Sequence, residues 1–179
     1  MNLANKLTLT RLAVIPFLLI AVNINYSCAS VFAGLLFLLA ATTDGLDGYI
    51  ARKQGEVTEL GKLIDPLADK ILVLAGLIIL VEIGHLPGWV AVIIAGREIA
   101  VTGLRAVLAT KNILLPASRL GKYKMAAQTL SIVSLFIWGF KPGIPLYLVY
   151  YQIAALSTAV LLTVSSGLDY LVKSWKLIR

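Results

Sequence analysis

Four aspartates stand in two close pairs, Asp44 with Asp47 and Asp65 with Asp69. Spacings of three and four put each pair on one face of a helix. With Glu56 and Glu59 they make up six of the chain's nine acidic residues, all within TTDGLDGYIARKQGEVTELGKLIDPLADK at 42–70, between two strongly apolar runs. Four unpaired anions cannot simply share a site. Two unit charges about 5 Å apart at an effective dielectric of about 20 repel by roughly 3 kcal/mol, and four carboxylates make several such pairs. They must be protonated, paired with cations or bound to metal. A donor set of carboxylate oxygens suits a hard divalent ion, Mg²⁺ or Mn²⁺. Two such ions would neutralise all four charges, and paired metals serve phosphoryl chemistry. The plainer alternative is a polar loop in which Arg52, Lys53, Lys62 and Lys70 pair with the carboxylates. That suits Glu56 and Glu59, read as solvated. It suits the aspartates less well, because they recur at helical spacing beside Gly45, Gly48, Ala51 and Gly61. Those small residues leave room for a ligand to approach the backbone, or for helices to pack.

The elements that must hold these residues are membrane helices. The 179 residues are 59% hydrophobic and 14% charged, with a mean hydropathy of +0.90. A soluble domain of this length cannot bury so much apolar side chain, so the class is all-α integral membrane, read as one domain over 1–179. Six apolar segments of spanning length can be read, at 7–26, 29–50, 66–84, 87–108, 125–143 and 145–172. The first opens with Asn5-Lys-Leu-Thr-Leu-Thr-Arg11, a polar start expected to lie in the interface. Its apolar core has about the length of a signal sequence, but Asn25-Tyr-Ser-Cys28 makes a poor cleavage or lipidation site, so this span is expected to be retained. The single cysteine excludes an internal disulfide framework. Gly and Pro in Ile83-Gly-His-Leu-Pro87 and Phe140-Lys-Pro-Gly-Ile-Pro145 mark tight turns.

Fifteen of the sixteen Lys and Arg residues fall at the N-terminus, in the 44–70 and 97–124 regions or in the C-terminal tail. The opposite turns hold only Lys141. This asymmetry places both termini in the cytoplasm. It also explains the net charge of +7 without a nucleic-acid partner. His85, Trp89, Tyr123, Trp138 and Trp175 read as interfacial anchors or packing, and Glu82 and Lys141 receive no role.

At about 1.5 Å rise per residue, Asp44 and Asp69 each lie about 22 Å from the outer ends of their helices, with Asp47 and Asp65 at about 27 and 28 Å. If the second and third helices are antiparallel neighbours, the carboxylates form two layers near the cytoplasmic end. Pro66 is expected to kink the start of the third helix. Unpaired charge at such a depth is costly, which favours a metal or ligand site over a solvated loop.

The pattern Asp44-x2-Asp47-Gly48-x2-Ala51-Arg52-x8-Gly61-x3-Asp65-x3-Asp69, eight fixed residues over 26 positions, resembles the signature of the CDP-alcohol phosphatidyltransferases. Asn5-x-Leu-Thr8-x-x-Arg11 is similar to that family's opening segment, and six spans is the family's architecture. The resemblance implies transfer of a phosphatidyl group from a CDP-linked lipid, CDP-diacylglycerol, to an alcohol, with release of CMP. It implies Asp44, Asp47, Asp65 and Asp69 as metal ligands for two Mg²⁺ or Mn²⁺ ions, and Asp69 also as the general base. Asn5, Thr8, Gly48, Ala51, Arg52 and Gly61 would surround the nucleotide. A homodimer is likewise implied by resemblance alone. Residue chemistry agrees: a pyrophosphate at headgroup depth meets the carboxylate layers where a lipid substrate and a water-borne one can both arrive.

Three stretches bear on the acceptor. Counted from Pro87, Arg97 lies about 15 Å deep and Arg105 about 27 Å. Arg97 is thus expected to face the bundle interior, either in a pair with Glu98 or an aspartate or against substrate. Ser118-Arg-Leu-Gly-Lys122-Tyr-Lys124 precedes the fifth span, and Lys124 lies about 28 Å from Gly143, level with the lower aspartates. A positive-inside anchor alone would explain such a loop. A basic wall of Arg97, Arg105, Lys122 and Lys124 facing the metal site would also suit an acceptor phosphate. Gly-Arg-Glu-x6-Arg with Ser-x-x-Gly-Lys-x-Lys resembles the phosphatidylglycerophosphate synthase branch, whose acceptor is glycerol 3-phosphate. Two positions depart from that branch: Met125 stands in place of Thr and Ala4 in place of Pro. Inositol phosphate, serine or phosphatidylglycerol are the alternative acceptors. A divalent-cation transporter is the rival outside the enzymes, disfavoured by acidic residues gathered toward one face and by the lack of an internal repeat. The expected setting is the cytoplasmic (inner) membrane, with the active site facing the cytoplasm.

Overall fold

A computed structural model describes residues 3–24, 27–54, 59–110, 119–139 and 143–178, with side chains described over 11–24, 29–42, 68, 70–110, 120–139 and 143–175. Among these residues every regular element is helical: α1 (Leu3–Asn23), α2 (Ser27–Gln54), α3 (Glu59–Glu82), α4 (Gly88–Thr110), α5 (Arg119–Ile137) and α6 (Leu146–Ile178). The six apolar segments each fall on one helix. Four helices start earlier than their apolar runs, α3 and α5 by the most. α3 begins at Glu59, so Pro66 is interior to it and does not open it, and α5 begins at Arg119, so Lys122 and Lys124 are helical. The reason is physical: hydropathy marks the edge of the hydrocarbon, whereas a helix satisfies its own backbone and continues through Leu, Lys and Arg beyond that edge.

The turn after α3 closes as a Schellman motif. Gly84 takes a positive φ of 73°, His85 N–H donates to the Leu80 carbonyl at 2.8 Å, and Gly84 N–H donates to the Val81 carbonyl at 3.1 Å. Pro87 and Pro145 stand just before α4 and α6, where a missing N–H costs nothing. Their carbonyls accept from Val90 N at 3.0 Å and Leu148 N at 2.9 Å.

The chain forms two compact units, Met1–Leu86 with Ile132–Pro142, and Pro87–Ser131 with Gly143–Arg179. In the first, α1 packs against α2 and α3, and α2 packs against α3. Phe37 on α2 is fully buried and meets α3 at Gly76, where an added Cβ would lie 2.8 Å from the Phe37 ring. Seventeen residues separate Phe37 from the end of α2 at Gln54, and seventeen separate the start of α3 at Glu59 from Gly76. Phe136 from the end of α5 packs on Phe37 with ring centroids 5.9 Å apart. His85 fills the space over Gly139, whose φ is 56°, and its Nδ1 lies 3.0 Å from the Leu135 carbonyl oxygen.

In the second unit, α4 packs against α6. Val90, Ile94, Glu98, Val101 and Leu108 form the buried stripe of α4 at helical spacing, so Glu98 sits in the middle of an otherwise apolar seam. Large apolar side chains cover the outside of both units. Leu39 and Ile78 in the first, and Val92, Leu161 and Trp175 in the second, are all over 60% exposed. Such surfaces are unstable in water and suit hydrocarbon. Among the described residues one stretch, Leu146–Trp175, is long and apolar enough to cross a membrane, and Arg11–Asn23 and Ala29–Thr42 are apolar but shorter.

Candidate active site

Glu98 is the buried anion of the second unit, and it binds two of the expected acceptor-site cations. Arg97 Nη1 donates to Glu98 Oε1 at 3.1 Å, and Lys124 Nζ donates to the same oxygen. Neighbours on a helix do not face each other. The pair forms because Glu98 belongs to the buried stripe and the long Arg97 side chain reaches round to it. Lys124 comes from the first turns of α5 and is itself 3% exposed. Arg97 thus makes the Glu98 pair the sequence allowed, and Lys124 is a further partner of Glu98 that sequence spacing did not reveal.

α6 completes the cradle. Ser166 Oγ accepts from Arg97 Nη2 at 3.1 Å. Gly167 lies beneath the Arg97 stem, where a Cβ would stand 3.1 Å from Cγ. The Tyr170 ring has the Arg97 guanidinium carbon 5.9 Å from its centroid and that of Arg105 at 5.7 Å. One turn along α5 from Lys124, Gln128 Nε2 donates to Thr163 Oγ1 at 2.9 Å. One carboxylate here serves two cations, the buried Lys124 and the half-buried Arg97.

Arg105 and Lys122 are exposed, and Arg105 is joined to Arg97 through Tyr170. Met125, which departs from the expected Thr, is 47% exposed while its neighbour Lys124 is buried. The departure therefore falls outside the Glu98 cluster. Ser166, Gly167 and Tyr170 were missed by sequence reasoning. Their signal was faint: Thr163, Ser166, Tyr170 and Ser174 recur on one face of an apolar helix, and all four are buried. Nothing local ties them to Arg97, sixty-nine residues before Ser166.

The carboxylate site is placed only through its helices. Asn5 and Thr8 lie on α1; Asp44, Asp47, Gly48, Ala51 and Arg52 on α2; Gly61, Asp65 and Asp69 on α3. Their side chains lie outside the described residues, as does that of Ala4. Among the described residues no three His, Cys, Asp or Glu side chains gather as a metal site.

Comparison with known proteins places these helices in a family. The family model described as CDP-alcohol phosphatidyltransferase matches residues 1–165, which include the aspartate motif, α4, α5 and most of α6. A Bacillus subtilis protein named CDP-diacylglycerol–glycerol-3-phosphate 3-phosphatidyltransferase is 41% identical, over 99% of this chain and 97% of its own. A Rickettsia felis protein of the same name is 40% identical, over 94% and 93%. A Mycobacterium tuberculosis protein named as a probable phosphatidylglycerophosphate synthase is 40% identical, over 97% and 81%. The motif, the helices that carry it and the match along the chain agree, and the chain belongs to the CDP-alcohol phosphatidyltransferase family.

Proposed function

We propose that this protein transfers the phosphatidyl group of CDP-diacylglycerol to glycerol 3-phosphate, forming phosphatidylglycerophosphate and CMP. The observation that carries the reading is similarity over 94% or more of the chain to relatives named for that reaction. The helix register supports it. Phe37 and Gly76 touch, and a connection of four residues spans at most about 18 Å, so α2 and α3 must run back alongside each other. Counting seven residues from that contact on each helix brings Asp44 level with Asp69, and Asp47 comes level with Asp65 to within one residue. This register supports the two carboxylate layers expected from depth.

Asp44, Asp47, Asp65 and Asp69 form the metal site, and an all-carboxylate donor set fits two Mg²⁺ or Mn²⁺ ions. The metal pair, when bound, supplies positive charge to the pyrophosphate. Asn5, Thr8, Gly48, Ala51, Arg52 and Gly61 hold the nucleotide. Asp69 takes the proton from the acceptor hydroxyl, whose oxygen bonds to the phosphatidyl phosphorus as the bond to CMP breaks. Arg97, Arg105, Lys122 and Lys124 receive the acceptor phosphate, with Glu98 bracing Arg97 and Lys124. Residues 1–179 act as a single domain whose six helices cross the inner membrane, with an interfacial N-terminal segment. Both termini and the active site face the cytoplasm, and the protein works as a homodimer in the bilayer.

An acceptor panel tests the reading. Protein in detergent receives CDP-diacylglycerol and Mg²⁺, with glycerol 3-phosphate, inositol phosphate, serine or phosphatidylglycerol added singly. CMP should appear with glycerol 3-phosphate and not with the others. Release with a different alcohol would overturn the acceptor assignment. Release with none, from folded protein, would favour the transporter reading.

A further inference from the structure

We infer that Arg11 is a resident counter-cation of the carboxylate site, a fixed positive charge that α1 sets beside the aspartates and that tempers their hold on metal. The inference rests on the metal-site reading above. Arg11 is 3% exposed and is engaged by a neighbouring group. It shares one face of α1 with Leu18 and Ala21, both buried, seven and ten residues further on. α1 packs against α2 and α3, so that face meets the two helices that carry the aspartates. The buried stripe of α2, Ala33, Phe37 and Ala40, reaches positions 44 and 47 when continued at the same spacing. That of α3, Ile79, Gly76 and Leu72, reaches positions 69 and 65. Three buried seams of one unit thus run to Arg11 and to the four aspartate positions.

Level agrees with face. Only three residues part α1 from α2, so the two run back alongside each other. Counted from Asn23 and Ser27, Arg11 stands level with Leu39, five residues or about 8 Å from Asp44. A long helical side chain lies over the turn N-terminal to its own Cα, which on α1 is the direction of the aspartates. A buried guanidinium is costly without an anion. The remaining acidic residues are elsewhere. Glu56 and Glu59 stand at or before the start of α3, and Glu82 is exposed at its opposite end. Glu98 and Asp169 pair with cations of their own unit. Four aspartates with Arg11 carry three net negative charges rather than four, so a divalent ion is held less tightly than the carboxylates alone would hold it.

Calorimetry of Mg²⁺ binding to the full chain in detergent tests this, with wild type, Arg11→Met and Arg11→Lys compared. A unit charge about 10 Å from a divalent ion, at an effective dielectric between about 40 and 80, alters its binding roughly four- to fifteenfold. Arg11→Met should bind Mg²⁺ more tightly by that factor. Arg11→Lys keeps the charge and should stay within about threefold of wild type. Thermal unfolding gives a second readout: EDTA should lower the midpoint of Arg11→Met further than that of wild type, because the carboxylates then face one another with one cation fewer. Mg²⁺ affinity unchanged or weakened in Arg11→Met would overturn the inference. So would an Arg11→Lys variant altered as much as Arg11→Met, which would assign the effect to guanidinium geometry. An Arg11→Met variant that Mg²⁺ cannot hold folded would make Arg11 a packing residue and overturn it too. If wild type binds no Mg²⁺, the metal-site reading fails and the inference falls with it. A wild type that binds Mg²⁺, beside an indifferent Arg11→Met, removes the inference alone.

Discussion

Asp69 and Glu98 are both carboxylates on apolar helices, and they have opposite tasks. As the proposed base, Asp69 must be ionised and lose its charge on taking a proton, whereas Glu98 sits between Arg97 and Lys124. The variants should separate accordingly. Asp69→Asn keeps the shape and removes the base, so kcat should fall by at least roughly a hundredfold. CDP-diacylglycerol should still bind in an equilibrium assay, and near-normal turnover would remove the base assignment. Glu98→Ala takes the shared carboxylate away from the buried Lys124 and the half-buried Arg97 and should cost about 3 kcal/mol of stability. A lowered midpoint of thermal unfolding in detergent would register it, and an unchanged midpoint would mean the cluster is already hydrated. The sequence made the Asp pairs legible because their partners lie three and four residues away. It left Ser166 and Tyr170 hidden because their partners are on another helix, and a lone Ser or Tyr in an apolar run has no local signature.

Helix packing in the first unit turns on small residues. Gly76 admits the Phe37 ring, and Gly34 admits Ile137, whose Cγ1 would lie 2.7 Å from an added Cβ. Gly76→Ala should therefore destabilise the protein by about 1–3 kcal/mol, the usual cost of overpacking. Gly103 on α4 is the contrast, since an added Cβ there meets nothing within 4 Å. Gly103→Ala should be neutral or stabilise by up to about 1 kcal/mol through helix propensity. Thermal unfolding of both variants in one detergent makes the comparison, and equal losses would contradict the packing account. Helix number could be read from apolar length alone. Helix starts could not, because α3 and α5 already run through Gly61-Lys-Leu-Ile and Gly121-Lys-Tyr-Lys before the apolar signal begins. The level of the aspartates was readable from rise per residue, and the Phe37–Gly76 contact reaches the same register from packing.

For the molecule as a whole, the proposed topology puts the cations on the side where the acceptor would arrive. With Cys28 replaced by Ser, single cysteines at Gly143 and at Thr110 should report opposite sides. Gly143→Cys should react with a membrane-impermeant thiol reagent from outside intact spheroplasts, and Thr110→Cys only after permeabilisation. The reverse pattern would invert the topology and put the aspartates on the wrong face. The reaction itself is tested most directly by following both products at once. Purified protein in detergent is given CDP-diacylglycerol, Mg²⁺ and glycerol 3-phosphate carrying a radiolabel. The account predicts label entering the organic phase in step with CMP release, with both stopped by EDTA. CMP released while the label stays in water would show hydrolysis of the donor rather than transfer, and would contradict it.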